Sequence, residues 1–193
     1  MAVLFITQQY LMDNSFINDN VDYKLLKPII VTVQDMYIHP ILGTGLYNEI
    51  KTQITTPPVS ALNQTLLDDY IQPAVIWRVM QDAPFPMTFK FMNKSVVKRN
   101  SDNSDSPSTD ELIQLSDKFR EKAEFYTKRL IKYLEANCTS YPLYDNPGDA
   151  CDTIYPYKTA YDTGMFLDDD GISLSSMKYR GKPDINEDDC CLE

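Results

Sequence analysis

The fold is decided first by one stretch, DYKLLKPIIVTVQDMYIHP, at residues 22–40. Its apolar side chains recur every three or four residues over three turns, which is the spacing of one helix face. They are Leu26, Ile29, Ile30, Val33, Met36 and Tyr37. Asp22 is the expected N-cap, and Pro28 is unfavourable in this helix unless it lies in the first turn, where its missing N–H costs nothing. The helix is expected to end near Pro40, because the residue before a proline avoids the α region.

Further helices are predicted on both sides of this stretch. They cover residues 8–12 behind a Thr7 cap, 45–51 after a reversal at Gly43 and Gly45, 62–81 with a kink or break at Pro73, and 110–137 behind a Thr109 cap. No internal repeat is visible. The predicted fold class is mainly α, a small helical bundle with a β-hairpin or extended arm and a long irregular C-terminal tail.

The arm is expected over residues 85–108, because mixed apolar and polar alternation there is typical of two short strands. Lys90, Lys94, Lys98 and Arg99 form a basic strip, with Phe89 and Phe91 interleaved. Two interpretations remain open. The strip faces DNA or a protein partner, or the lysines are solvated and block pairing along a strand edge.

Charge divides the chain into a body and a tail. Residues 1–137 carry 16 acids and 14 bases, a net charge of −2, whereas residues 138–193 carry 12 acids and 4 bases, a net charge of −8. Phosphate binding needs Lys and Arg, so the tail is not expected to bind nucleic acid. Its tyrosines provide large contact area at low rotamer entropy, and we expect them to anchor the tail on a partner. They are Tyr141, Tyr144, Tyr155, Tyr157 and Tyr161.

The residues that would support catalysis or metal binding do not form a recognisable set. The chain has one histidine, His39, expected at a helix C-terminus near the negative end of the dipole. No nucleophile elbow or phosphate-binding loop is present, and the four cysteines, at 138, 151, 190 and 191, form no C-x-x-C pair. We therefore predict a protein that is not an enzyme and that has no cofactor or metal. The N-terminus does not resemble a signal peptide, and no apolar run is long enough to span a membrane.

Several strings resemble one family. They are NVDYKLLKPII at 20–30, IHPILGTGLY at 38–47, IQPA at 71–74, NKSVVKRN at 93–100 and KAEFYTKRL at 122–130. In this order they resemble the head–tail connector, or adaptor, proteins of tailed bacteriophages. The resemblance is closest to connector-like proteins of crAss-like and other Bacteroidetes-infecting phages. It covers roughly residues 4–145, and none of the strings has a chemical mechanism attached.

The resemblance implies a structural subunit of the virion neck. About twelve copies would form a ring beneath the portal protein, touching further neck or tail ring proteins. DNA would pass through the lumen without sequence-specific binding, and the ring would assemble in the bacterial host cytoplasm. The alternative is a soluble, non-virion adaptor or regulatory protein that binds a host factor through its acidic tail.

Overall fold

A computed structural model of the protein describes residues 3–18, 21–93, 95–98, 107–148, 150 and 152–157. Helices dominate, as the apolar periodicity predicts. They are α1 (Gln8–Asp13), α2 (Tyr23–Val33), α3 (His39–Thr55), α4 (Ala61–Leu66), α5 (Gln72–Asp82), α6 (Pro84–Thr88), α7 (Thr109–Ala136) and α8 (Pro142–Asp145). Two π-helical turns, Gln34–Ile38 and Leu67–Ile71, join α2 to α3 and α4 to α5, and a 3₁₀ turn spans Cys138–Ser140. The mainly α fold class is therefore confirmed.

The predicted helix end at Pro40 is wrong, because a π-helical turn carries the chain through this proline. The N–H of His39 donates to the carbonyl of Gln34, five residues back. A proline ring clashes with the carbonyl four residues before it, and a π-turn widens the helix at that point. The break comes later, at Gly43, whose φ of 74° and ψ of 159° are not helical.

A second π-turn precedes Pro73. The predicted kink or break at this proline is therefore a π-turn within one continuous helical segment. The N–H of Gln72 donates to the carbonyl of Leu67, again five residues back. The two segments, QDMYIHP at 34–40 and LDDYIQP at 67–73, share Asp, Tyr, Ile and Pro at identical offsets. The expectation of no internal repeat therefore needs correction, since a short repeat specifies the same local structure twice.

Part of the predicted arm forms the expected antiparallel ribbon, whereas residues 85–88 belong to helix α6. Strand β1 (Phe89–Phe91) pairs with β2 (Val96–Lys98), and Lys90 lies opposite Val97. The long helix α7 begins one residue earlier than predicted. Ser108, not Thr109, is its N-cap, and a capping box joins Ser108 to Glu111.

One core holds these elements together. Its largest fully buried side chains come from the chain up to and including the second π-turn and from the chain after α7. They include Leu11, Leu26, Ile30, Leu42, Tyr47, Leu66, Ile71 and Tyr144. Helices α5 and α7 form its most extensive pair: the Ser116 hydroxyl donates to the carbonyl of Gln81 at 3.0 Å at one end. At the other end the rings of Tyr70 and Tyr133 stack with centroids 3.9 Å apart.

The compact unit extends past residue 137. The described part of residues 141–157, which we call the strap, packs on the body. Tyr141 and Tyr144 lie in the core, and the N–H of Tyr157 donates to the carbonyl of Pro40 at 2.7 Å. The expected boundary between body and tail at 137 therefore falls inside a packed unit.

Candidate interaction surface

An exposed aromatic surface lies on α5, α7 and the loop after α1. It consists of Phe16, Trp77, Lys122, Phe125 and Tyr126, and it borders the buried ring of Phe119. Phe16 is 73% exposed and Phe125 is 63% exposed, although both are large apolar rings. The Phe16 ring lies 6.1 Å from Trp77, edge to face, and the Phe125 ring lies 5.3 Å from Tyr126. Contiguous exposed rings of this kind mark interaction sites more often than isolated ones do.

A single ammonium group lies over several of these rings. The Lys122 Nζ is 4.5 Å from the centroid of Trp77, 5.6 Å from Phe16 and 5.8 Å from Phe119. Cation–π attraction of this kind holds the long side chain against the aromatic surface. A cavity of about 400 Å³ opens between Trp77, Lys122 and Phe125.

An acidic groove continues the aromatic surface. It has a volume of about 360 Å³, shares Trp77 and Tyr126 with the neighbouring cavity, and is also lined by Tyr10, Asp68 and Asp69. Burial raises the pKa of Tyr10, and the negative charges of Asp68 and Asp69 raise it further.

Arg129 is the cation that the described part of the chain contributes to the lining of the acidic groove. Its guanidinium lies 4.9 Å from the centroid of the Tyr70 ring, so it already forms a cation–π contact within the chain. Among the described residues of the groove lining, two carboxylates therefore face one guanidinium.

The arm does not present the basic residues as one strip. In an antiparallel pair, residues directly opposite each other share a face, and successive residues alternate. Lys90 lies opposite Val97, whereas Lys98 lies opposite Phe89, so the two lysines lie on opposite faces of the ribbon. Lys94 and Arg99 lie outside the described residues. Each described face therefore combines one lysine with an apolar residue.

The arm also exposes apolar side chains. Met92 is 53% exposed and Val96 is 55% exposed, and Val97 is exposed as well. A two-stranded ribbon is marginally stable on its own in water. Its apolar residues therefore favour contact with another surface.

The tail tyrosines fall into different environments. Tyr141 and Tyr144 are buried in this chain's own core, so the expectation that they anchor a partner is corrected. Tyr155 is half-buried and Tyr157 is 61% exposed. Tyr161 lies outside the described residues.

The strap docks on the segment Gly43–Thr44–Gly45. The N–H of Thr44 donates to the carbonyl of Ile154 at 3.0 Å, and the N–H of Ile154 donates to the Thr44 hydroxyl at 2.8 Å. A Cβ on Gly43 would lie 2.8 Å from the Pro156 ring, and one on Gly45 would lie 2.9 Å from Pro147. The two glycines thus serve close approach of the strap, a role that the sequence-based interpretation as a reversal missed.

His39 lies beneath the strap rather than at a helix C-terminus. Its ring stacks on Tyr47 with centroids 4.3 Å apart, and its Nε2 is 3.1 Å from the Thr44 hydroxyl. Burial lowers the pKa of His39, with a further contribution from Lys51. A position at a helix C-terminus would raise the pKa of the imidazole instead. The expectation that His39 lies at a helix C-terminus is therefore corrected.

The described residues hold no group of three or more His, Cys, Asp or Glu side chains arranged to bind a metal ion. Within the same residues, no helix combines the length and the apolar character needed to cross a membrane. The absence of a cofactor and of catalysis stays a prediction.

Phe16 and Phe125 are the surface residues that sequence reasoning missed. Phe125 lies out of phase with the apolar stripe of α7, which runs through Phe119, Ala123 and Tyr126. Phe16 lies in a polar loop between two helices. An aromatic residue outside the apolar stripe of a helix, or in a polar loop, is the sequence feature from which this exposure could have been predicted.

The fold and this surface define a small mainly helical protein with a projecting hairpin and an exposed aromatic face. The family model described as "Family of unknown function (DUF6712)" matches residues 38–154. The chain belongs to this family. The match includes both partners of the contact between Thr44 and Ile154. Comparison with curated proteins and with solved structures finds no significant match in either.

Proposed function

We propose that this chain is a structural subunit of a bacteriophage head–tail connector ring, placed beneath the portal, where it joins capsid to tail and lines the DNA exit channel. One observation carries the proposal: a single packed body exposes two different apolar surfaces. The aromatic surface lies on α5 and α7, and the second surface is the arm. A protein that acts as one copy among identical neighbours needs two such surfaces.

Ring geometry explains why the two surfaces differ. A head-to-tail contact joins one patch on a subunit to a different patch on the next, and it closes into a ring when the rotation closes. A symmetric dimer can also join two unlike patches reciprocally, but it closes after two copies. Two unlike exposed surfaces therefore meet the requirement of a ring, in which each patch contacts a different neighbour.

The charge of the body suits a DNA channel. Residues 1–137 have a net charge of −2, and basic surfaces that hold phosphates slow the passage of DNA. A near-neutral body lets DNA move past without sequence-specific binding. This role requires no reaction, so we propose that the chain is not an enzyme.

The test is the composition of purified virions. Particles washed at high salt are analysed by quantitative mass spectrometry, with the portal protein as the internal standard. We expect the chain at about one copy per portal subunit, and a ring of matching density at the neck in electron cryomicroscopy. Loss of the gene is expected to give filled heads without tails.

Two results would contradict this function. One is absence of the chain from particles that contain portal, which would favour the soluble adaptor that binds a host factor. The other is a normal yield of tailed, infectious particles without the gene. A matched control is complementation with the intact gene, which must restore tailed particles.

A further inference from the structure

We propose that the acidic groove binds the hairpin arm of a second copy of this chain. This inference rests on the proposed ring function and names the surfaces that would join neighbouring subunits. The groove is the depression lined by Tyr10, Asp68, Asp69 and Trp77, which opens onto the aromatic surface.

The apolar parts of the two surfaces complement each other. The arm exposes Met92, Val96 and Val97 to solvent, and the aromatic surface exposes Phe16 and Phe125. Val96 and Val97 lie on opposite faces of the ribbon, so docking of the face that carries Lys90 would remove Val97, Phe16 and Phe125 from water. Methionine and β-branched side chains pack well against aromatic rings, and burial of exposed apolar area is the main driving force of association.

The charges also complement each other. Asp68 and Asp69 lie in the groove, and Arg129 is held over Tyr70. Lys90 shares its face of the arm with Val97, so docking of that face brings an ammonium group to the groove. Opposite charges at the rim of an interface set orientation and speed association.

The contact joins two unlike surfaces. The arm follows α5 and precedes α7 in the chain, whereas the groove is built from α1, the second π-turn, α5 and α7. Each copy therefore has one arm that can dock on a neighbour and one groove that can receive a neighbour's arm. When the two neighbours are different copies, the contact repeats head-to-tail into a closed ring or a filament, whereas two copies that exchange arms form a symmetric pair. The proposed ring function requires the first arrangement, and sedimentation velocity distinguishes it from a dimer.

The experiment uses charge reversal and its rescue in the full chain. The arm variant is Lys90→Glu, the groove variant is Asp68→Lys with Asp69→Lys, and the combined variant carries all three substitutions. The control is Lys24→Glu, an exposed lysine of α2 with the same charge change. Assembly is followed by sedimentation velocity over a concentration series, and circular dichroism checks that each variant is folded.

We expect the arm and groove variants each to raise the concentration for half-assembly about tenfold or more, because like charges meet at the contact. The combined variant is expected to restore assembly to within about threefold of the unmodified chain, since the charges are then opposite again. Lys24→Glu is expected to assemble normally.

Two outcomes would overturn the inference. In the first, the arm variant and the groove variant both assemble as well as the unmodified chain. Neighbouring copies are then joined by other surfaces, and the proposed ring function still stands. Unmodified chain that stays monomeric at every concentration shows that the arm and groove do not join copies. The virion measurement decides the proposed function separately.

Discussion

At the residue scale, Gly43 combines two constraints that only glycine meets. Its backbone occupies φ 74° and ψ 159°, a region essentially reserved for glycine, and a Cβ there would lie 2.8 Å from Pro156. The close contact is possible because the strap passes directly over this position. Gly43 therefore determines both where the helix breaks and where the strap docks.

Gly43→Ala is expected to lower the free energy of unfolding by about 1–3 kcal/mol, measured by urea denaturation. Gly148→Ala is the matched control. Gly148 also has positive φ, at 116°, but a Cβ there meets only the Thr153 hydroxyl at 3.9 Å. We expect a smaller loss for this control. Equal losses would show that backbone strain alone, without the strap contact, explains the effect.

The two buried tyrosines of the strap, Tyr141 and Tyr144, differ in the hydrogen bonding of their hydroxyl groups. The Tyr141 hydroxyl donates to the carbonyl of Leu62 at 3.1 Å and lies 3.3 Å from the Tyr133 hydroxyl. Among the described residues the Tyr144 hydroxyl has no hydrogen-bond partner, and burial raises its pKa to about 12. The same substitution should therefore have different effects at the two positions.

Tyr141→Phe is expected to lower the free energy of unfolding by about 1 kcal/mol, because it leaves the Leu62 carbonyl without this donor. Tyr144→Phe is expected to cause no loss, since it removes a buried polar group that forms no bond. Chemical denaturation of both variants provides the comparison. A larger loss for Tyr144→Phe than for Tyr141→Phe would contradict the hydrogen-bonding pattern.

His39 should make stability depend on pH. Burial lowers its pKa below the ordinary value of 6.5, so the unfolded chain takes up the proton first as pH falls. The stabilisation is complete above pH 6.5 and is lost as pH falls through the lower folded-state pKa. His39 is the only histidine in the chain, so no other imidazole contributes in this window.

We expect the free energy of unfolding to fall between about pH 7.5 and about pH 5.5, before most carboxylates titrate. His39→Asn should make this slope shallower, whatever its effect on absolute stability. Urea denaturation at several pH values gives both slopes. An unchanged slope in His39→Asn would show that His39 is not the titrating group.

At the element scale, two helical runs pass through prolines by the same π-turn. The repeated pattern places Asp, Tyr, Ile and Pro at matching positions of 34–40 and 67–73. The wider π-turn accommodates the proline ring and the missing N–H. The chain therefore continues from α2 into α3, and from α4 into α5, without a loop. Proline as a helix terminator therefore gave the wrong boundary at Pro40.

The start of α7 gives a prediction at this scale. The Ser108 hydroxyl accepts from the N–H of Glu111, whose carboxylate accepts from the Ser108 N–H at 2.7 Å. Ser108→Ala is expected to lower the free energy of unfolding by about 1 kcal/mol. Thr109→Ala, one residue inside the helix, is the control and should change it little. A larger loss of stability for Thr109→Ala than for Ser108→Ala would indicate that Thr109 is the N-cap.

At the scale of the whole molecule, the strap completes the core. Tyr141 and Tyr144 contribute buried rings, and backbone hydrogen bonds tie residues 154 and 157 to the start of α3. A chain shortened to residues 1–157 keeps these contacts, whereas a chain of residues 1–137 loses them. Comparison of the two tests where the folded unit ends.

We expect the 1–137 chain to be less stable than the 1–157 chain by about 3 kcal/mol or more, since two buried aromatic side chains are lost. Thermal and urea denaturation of both chains gives the difference, and aggregation of the shorter chain would have the same cause. Equal stability would mean that the body is complete at residue 137 and that the strap is dispensable.

Sequence alone determined the local elements of this protein. Apolar spacing along α2, α5 and α7 and strand alternation in the arm depend on neighbours in the chain, so the helices and the hairpin could be predicted. Element ends were predicted less well, because a π-turn and a capping box differ from simpler alternatives by one hydrogen bond.

Only the tertiary structure decided which surfaces are covered. Periodicity cannot show that Tyr141 and Tyr144 fill a core distant in sequence, that two glycines admit the strap, or that Phe16 and Phe125 stay exposed. Each of these depends on contacts between residues far apart along the chain. The physical reason is that burial is a property of packing between elements, whereas helix formation is largely a property of each element.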